Sequence, residues 1–270
     1  MEVENQIKNH RLRLKVNTGV KTDYNIASLP FGYIERKPVV PANWQETYSE
    51  MPIDIEPLEQ SVTLTNETAS CTVFTCGVKE YQQLDQDLAL TLLATTGQLG
   101  KPDLAYRPGR ASGDTTKKGH VLIETEGAQL LGKHQFRLAI YLGDQAFDEH
   151  KTAERTKKRL IKQNVSYQRQ PFNHFLHRLD NKIQKTERKL GAKQTLAMLN
   201  LPKEYLVSAC HPSYYTADKY IIRLENPTNT PQKLAFPDMS FEYVNAIEEV
   251  VGNDNNTIPA YGAVTLRLDI

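Results

Sequence analysis

The chain has 270 residues, 33 of them basic and 32 acidic, and a formal net charge of +1. This balance provides no electrostatic footprint for nucleic acid or an anionic membrane, and the length allows one large β domain or two smaller ones. No apolar run approaches a membrane span and residues 1–15 lack the apolar core of a signal peptide, so we expect a cytoplasmic protein. The three cysteines form no CxxC motif, and we expect them to be buried free thiols.

Alternation of apolar and polar residues is the dominant pattern along the chain. Period-two alternation is typical of antiparallel strands with one buried face. Residues 87–95 are more continuously apolar, which predicts a central strand covered on both faces. The fold class predicted is therefore all-β: a large antiparallel β-sandwich (supersandwich) with a smaller C-terminal β-sandwich subdomain. The alternating apolar residues are Leu12, Leu14 and Val16; Val62 and Leu64; Phe136, Leu138, Ile140 and Leu142; Tyr220, Ile222 and Leu224; and Val264, Leu266 and Leu268.

Two regions interrupt the alternation. Residues 37–57 hold four prolines and Trp44, which favours a long crossing segment over a sheet surface. Residues 151–193 carry thirteen Lys or Arg and only three acidic residues, and a helix is predicted over 152–163. We accordingly predict a main β-sandwich at 1–150, a short, partly helical basic insertion at 151–204 and a C-terminal β subdomain at 205–270.

The basic insertion allows two interpretations. Its interleaved aromatic and histidine side chains are compatible with a nucleic-acid surface, which steep salt dependence of DNA or RNA binding would support. A solvated insertion that balances acidic neighbours explains the same composition. Because the whole chain is nearly neutral, we favour the second interpretation and expect no nucleic-acid partner.

Familiar catalytic patterns are missing from the sequence. It contains no GxSxG nucleophile elbow and neither of the glycine-rich phosphate loops. The seven histidines form no HExxH or His-x-Asp pattern, so we expect no metal site in this chain. No catalytic residue is predicted from the residues themselves.

The most unusual local sequence is YRPGRASG at residues 106–113. Pro and Gly bend the backbone there, and Arg107 and Arg110 flank Gly109, each with a planar fork of donors. Such a loop suits binding of hydroxyls or carboxylates. An arginine fork that ties the loop to nearby carbonyl groups is an equally physical explanation.

This loop and the strand before it resemble the C-terminal part of bacterial glycoside hydrolases of family 38, the α-mannosidases and mannosylglycerate hydrolases. Further segments resemble that family in the same order and span nearly the whole chain, except for 151–193. The similar segments are NHRLRL (9–14), FGYIERKP (31–38), FTCGVKEY (74–81), LALTLL (88–93) with Gly97, LGK (99–101) and DL (103–104), IRLENP (222–227) and TLRL (265–268).

The resemblance implies a β region that supports an N-terminal catalytic domain of the same polypeptide. In that family aspartates and a zinc ion perform retaining hydrolysis of terminal α-mannosyl linkages, and all of these groups come from the N-terminal half. Nothing in this chain matches them, so the chain is expected to be inactive alone and without a cofactor. Arg107, Gly109 and Arg110 are the residues expected to reach the rim of the sugar site. The resemblance does not decide whether the full enzyme forms a homo-oligomer.

A freestanding carbohydrate-binding β-sandwich is the alternative hypothesis. Trp44, Tyr48 and Tyr106 would then offer flat faces for stacking on sugars. Packing of these aromatics under the proline-rich segment is the simpler explanation. Titration with mannose oligosaccharides separates the two hypotheses, because a supporting domain is expected to bind them weakly or not at all.

Overall fold

The computed structural model describes residues 1–48, 50–100, 123–160, 205–235, 240–252 and 256–269. The described residues form strands joined by short turns, two short 3-10 helices and one α-helix. Before the segment 161–204 the elements are β1 (Glu2–Asn5), β2 (Arg11–Asn17), β3 (Asn25–Leu29), β4 (Gly32–Arg36), a 3-10 helix (Trp44–Glu46), β5 (Ile55–Pro57), β6 (Ser61–Thr65), β7 (Ser70–Cys76), β8 (Glu80–Leu84), β9 (Asp87–Ala94), β10 (Gln98–Leu99), β11 (Ile123–Glu124), a 3-10 helix (Glu126–Gln129), β12 (Gly132–Gln135), β13 (Arg137–Gly143) and α1 (Glu149–Leu160). After it come β14 (Leu206–Pro212), β15 (Lys219–Asn226), β16 (Gln232–Lys233), β17 (Phe241–Val244), β18 (Thr257–Ile258) and β19 (Gly262–Asp269).

The N-terminal part is a sandwich of two antiparallel sheets. One sheet has the strand order β13-β7-β6-β3-β4 and the other β2-β9-β8-β5. A single apolar cluster joins them: Val62 and Val73 come from the first sheet, and Leu88 and Leu90 from the second. All four are fully buried. Strand β9 lies between β2 and β8, which confirms the prediction of a central strand.

The C-terminal part has a second apolar core. Its sheet has the order β14-β15-β19-β17, and the short pair β16-β18 lies beside it. Ile222 and Leu224 of β15 and Leu266 and Leu268 of β19 are buried together with Ile258 of β18. The alternation seen in the sequence therefore corresponds to strands with one face in this core, and the all-β class with antiparallel sheets is confirmed. The boundaries at 150 and 205 stay predictions.

Helix α1 packs between the two cores. Lys157 donates to the carboxylate of Glu225 on β15 at 2.9 Å, and Glu149 accepts a hydrogen bond from the hydroxyl of Tyr261 at 2.5 Å. Burial, reinforced by this bond to Glu149, raises the pKa of Tyr261 to about 12. Lys158 pairs with Glu154 on the same helix. In the described part of the basic segment, these lysines therefore bond to carboxylates of the same chain. Residues 161–204 lie outside the described residues.

Three details differ from the sequence-based predictions. The helix begins at Glu149, three residues before the predicted start, because Asp148 caps it by accepting from the amide of Lys151 at 2.8 Å. Ile140 and Leu142 lie on the core-facing side of their sheet, yet they are 51% and 70% exposed. The reason is that β13 is the edge strand of this sheet in the described fold. All three cysteines are free, as predicted, but only Cys71 is buried, so the predicted burial of Cys76 and Cys210 is wrong.

Among the described residues no helix is long and apolar enough to cross a membrane.

Candidate functional site: the base of the arginine loop

The predicted site residues Arg107, Gly109 and Arg110 lie in the segment 101–122, outside the described residues. The structure describes the two flanks of that segment. Strands β10 and β11 pair antiparallel, with Gln98 opposite Glu124 and Leu99 opposite Ile123. The two ends of the segment therefore lie side by side, and we call this strand pair and the residues that bind to it the loop base.

Main-chain and hydroxyl hydrogen bonds join the two flanks below the strand pair. The amide of Thr125 donates to the carbonyl of Gly97 at 2.9 Å, and the Thr125 hydroxyl donates to the carbonyl of Thr96 at 3.0 Å. The amide of Thr96 donates to the carbonyl of Ala128 in the second 3-10 helix at 3.3 Å. Both flanks are thus fixed to one another and to the end of β9.

Gln129 is the centre of the loop base. Its side chain is buried, and its Oε1 accepts from the amide of Asn9 at 2.8 Å while its Nε2 donates to Oδ1 of Asn9 at 3.1 Å. Oδ1 of Asn9 also accepts from the amide of Gly97 at 2.7 Å. Asn5 donates to the main-chain carbonyls of Gln129 and Leu130 at 3.0 and 2.8 Å. These bonds satisfy buried amide groups that would otherwise be costly to desolvate.

Two backbone positions in the loop base depend on residue type. Asn9 has φ 54°, in the left-handed region that Asn tolerates better than most residues. There is no room for a side chain at Gly97, because a Cβ there would overlap Nε2 of the Gln129 side chain. A larger residue at position 97 therefore requires the end of the Gln129 side chain to move and to give up its hydrogen bond to Asn9.

Part of the loop base was visible in the sequence. Asn9 and Gly97 belong to two separate segments of the family 38 resemblance, and the structure brings them into contact. Asn5 and Gln129 were missed, because neither lies in a recognisable motif and nothing local marks a glutamine as buried. Their role depends on contacts between residues more than a hundred positions apart.

The chemistry of the loop base is that of support. Its inward-facing groups are amides and hydroxyls, and the ion pair of Lys8 with Glu126 at 3.1 Å beside them is exposed. Among the described residues no group of three His, Cys, Asp or Glu side chains is placed to hold a metal ion. The loop base can hold a ligand-binding segment in position, whereas proton transfer at neutral pH needs a titratable group that these amides do not supply.

The aromatic residues of the alternative hypothesis do not form a described surface. Trp44 is partly buried at the start of the first 3-10 helix, and the amide of Tyr48 donates to its carbonyl at 2.8 Å. Tyr48 is half exposed. Tyr106 lies outside the described residues.

Comparison with known proteins gives structural neighbours only. No protein-family model and no curated protein sequence matches the chain. The chain is similar in fold to an alpha-mannosidase from Enterococcus faecalis V583, with a TM-score of 0.67 and 18% identity, and to a protein in glycosyl hydrolase family 38 from Enterococcus faecalis, with a TM-score of 0.65 and 17% identity. In both cases the match covers 99% of this chain and 27% of the other. The chain therefore has the fold of about a quarter of each of these larger proteins.

Proposed function

We propose that this chain is the C-terminal structural and accessory region of a cytoplasmic α-mannosidase, a retaining glycoside hydrolase of family 38. In this proposal the catalytic domain of the same polypeptide hydrolyses terminal α-mannosyl linkages, and the present chain supports it. The observation that carries the proposal is the match of 99% of this chain to 27% of an alpha-mannosidase chain. The ordered series of sequence segments that resemble family 38 supports it independently.

The loop base gives the proposal a mechanism. A segment that presents Arg107 and Arg110 to a sugar must be fixed at both ends, because a loose loop loses entropy on binding. The pairing of β10 with β11 and the bonds of Gln129 fix both ends. Charged forks of donors on such a loop would bind sugar hydroxyls or orient a catalytic carboxylate. The aspartates and the zinc ion belong, in this proposal, to the catalytic domain.

Activity of the chain by itself tests the division of labour. We expect no turnover of an aryl α-mannoside by the 270 residues with added zinc, and no stoichiometric zinc in the purified protein. Robust turnover by this chain alone would contradict the proposal. The reading frame upstream of Met1 provides a second test, since we expect it to encode a catalytic domain with an His-x-Asp zinc motif.

The role of the arginines is tested in the full-length enzyme. Arg107→Ala and Arg110→Ala should each lower kcat/KM by roughly tenfold to a hundredfold, as expected for the loss of a charged hydrogen bond. Lys118→Ala is the matched control, because it removes a positive charge from the same segment at a position outside the sequence YRPGRASG. Equal effects of all three variants would show that only net charge matters.

A further inference from the structure

The turn between β3 and β4 contains an aromatic residue in an unfavourable place. Leu29 pairs with Gly32, so Pro30 and Phe31 form the two-residue turn. Phe31 has φ 72°, a conformation that glycine and asparagine adopt readily and an aromatic residue rarely. Its side chain is also 59% exposed, so little burial offsets the strain. A strained backbone conformation that no contact within the fold compensates indicates a contact with another molecule.

Phe31 lines a cavity of about 330 Å³. This volume lies within the range of about 300–1,000 Å³ typical of small-molecule sites. A smaller cavity of about 100 Å³ continues from it between the sandwich, α1 and β15. The larger cavity is lined by Leu29, Pro30, Phe31, Glu59, Gln60, Thr156, Lys157 and Glu225.

The charges in this cavity are paired, which disfavours an ionic ligand. Lys157 contacts Glu225 at 2.9 Å, and Glu59 contacts Lys79 at 2.8 Å. A phosphate or a free carboxylate would meet an anion beside each cation. A neutral ligand avoids this repulsion.

Unused hydrogen-bonding capacity remains around the ion pair. Lys157 donates to Oε2 of Glu225 and to the carbonyl of Val207, which leaves one of its three N–H donors. Within the described residues, Oε1 of Glu225 and the side-chain amide of Gln60 have no hydrogen-bond partner. A hydroxyl group both accepts and donates, so neighbouring hydroxyls can accept from Lys157 and donate to Glu225.

We propose that this cavity is a binding site for a neutral saccharide, with the Phe31 ring stacked on the apolar face of a sugar ring and Lys157, Glu225 and Gln60 bonded to its hydroxyls. No residue of the loop base lines this cavity, and the proposal goes beyond the function proposed above. A protein partner fits less well, because a stable interface buries about 800 Å² on each side, whereas the exposed apolar surface at this turn comes from Pro30 and Phe31.

Saturation-transfer NMR on the chain with millimolar methyl α-mannoside, methyl α-glucoside and maltose tests the proposal, with mannose 6-phosphate as the charged probe. We expect at least one neutral sugar to bind weakly, which a supporting domain allows, and the phosphate to bind more weakly still. No binding by any neutral sugar would overturn the proposal, and so would preferential binding of the phosphate.

Variants locate the site. Phe31→Gly should weaken binding by roughly tenfold or more without lowering the melting temperature, because glycine suits the turn. Phe31→Trp should retain binding, and Lys157→Met should weaken it. Tyr214→Ala is the control, since Tyr214 is 84% exposed on another hairpin. Binding that survives both Phe31→Gly and Lys157→Met contradicts the assignment. Arg107→Ala should leave this binding unchanged, which separates it from failure of the arginine-loop proposal.

Discussion

The loop base and the turn that carries Phe31 both contain a non-glycine residue in the left-handed region, Asn9 at φ 54° and Phe31 at φ 72°. The side chain of Asn9 accepts hydrogen bonds from Gly97 and Gln129. The side chain of Phe31 is mostly exposed. Hydrogen bonds within the fold therefore compensate the left-handed conformation of Asn9, whereas no burial compensates that of Phe31. This difference separates a structural support from a surface that requires an outside contact.

Gln129→Ala should produce the largest loss of stability in the loop base. The change removes the two hydrogen bonds that the buried Gln129 side chain makes with the amide and Oδ1 of Asn9, which costs about 2 kcal/mol of unfolding free energy. Urea denaturation followed by circular dichroism measures the loss. Glu126→Gln in the same 3-10 helix is the control, because its exposed pair with Lys8 is worth less than about 1 kcal/mol. Equal losses would mean that the hydrogen bonds of Gln129 do not support the loop base.

Gly97→Ala should cost about 1–2 kcal/mol, since the new Cβ displaces the Gln129 amide. Gly127→Ala is a matched control two residues before Gln129. A Cβ at Gly127 meets open space, and the substitution should be neutral or stabilising by less than about 1 kcal/mol. Thermal unfolding of the two variants compares them directly. A Gly97→Ala protein as stable as Gly127→Ala would contradict the close packing over Gln129.

The strands were predictable from sequence because their signal is local. Alternation in residues 12–16 and 264–268 corresponds to β2 and β19, each with one face toward a core. Local alternation did not reveal that β13 is an edge strand, so the exposure of Leu142 was missed. Burial depends on which sheet lies opposite, and that is a property of the whole topology.

The functional regions were only partly predictable for the same reason. Arg107 and Arg110 stand out in sequence by composition, although they lie outside the described residues. The sequence also marked FGYIERKP as a familiar segment, but it gave no sign that Phe31 occupies the strained position of a turn. That conclusion needs the register of β3 with β4, which sets Leu29 opposite Gly32.

Glu248 provides an intermediate case that sharpens the comparison. It has φ 63°, yet it is buried, and its carboxylate accepts from the Ser213 hydroxyl and the Tyr214 amide. Burial acts to raise the pKa of Glu248, but the hydrogen bonds from Ser213 and from the amides of Tyr214 and Tyr215, with the nearby His211, outweigh it and lower the pKa.

A lowered pKa in the folded state means that the Glu248 carboxylate stabilises the fold above its ordinary pKa of 4.5 and loses this contribution as the pH falls through the lowered value. The difference in melting temperature between the native chain and Glu248→Gln should therefore shrink on acidification below pH 4.5. Glu249→Gln is the control, because Glu249 is exposed and a glutamine there can still accept a hydrogen bond from the side-chain amide of Asn245. A difference that stays constant down to acid unfolding would show that these bonds do not favour the charged form.

Phe31→Gly should have the smallest effect on stability and the opposite sign. A left-handed conformation costs an L-residue about 1–2 kcal/mol, and glycine avoids this cost while losing about 0.5–1 kcal/mol more backbone entropy on folding. The net gain is then between zero and about 1.5 kcal/mol, measured as a rise in the urea midpoint. Asp85→Gly in the turn between β8 and β9, at φ 56°, should gain less, because aspartate tolerates this region. A clear loss on Phe31→Gly would mean that the ring already stabilises the isolated chain, and the strain at this turn would no longer indicate an absent ligand.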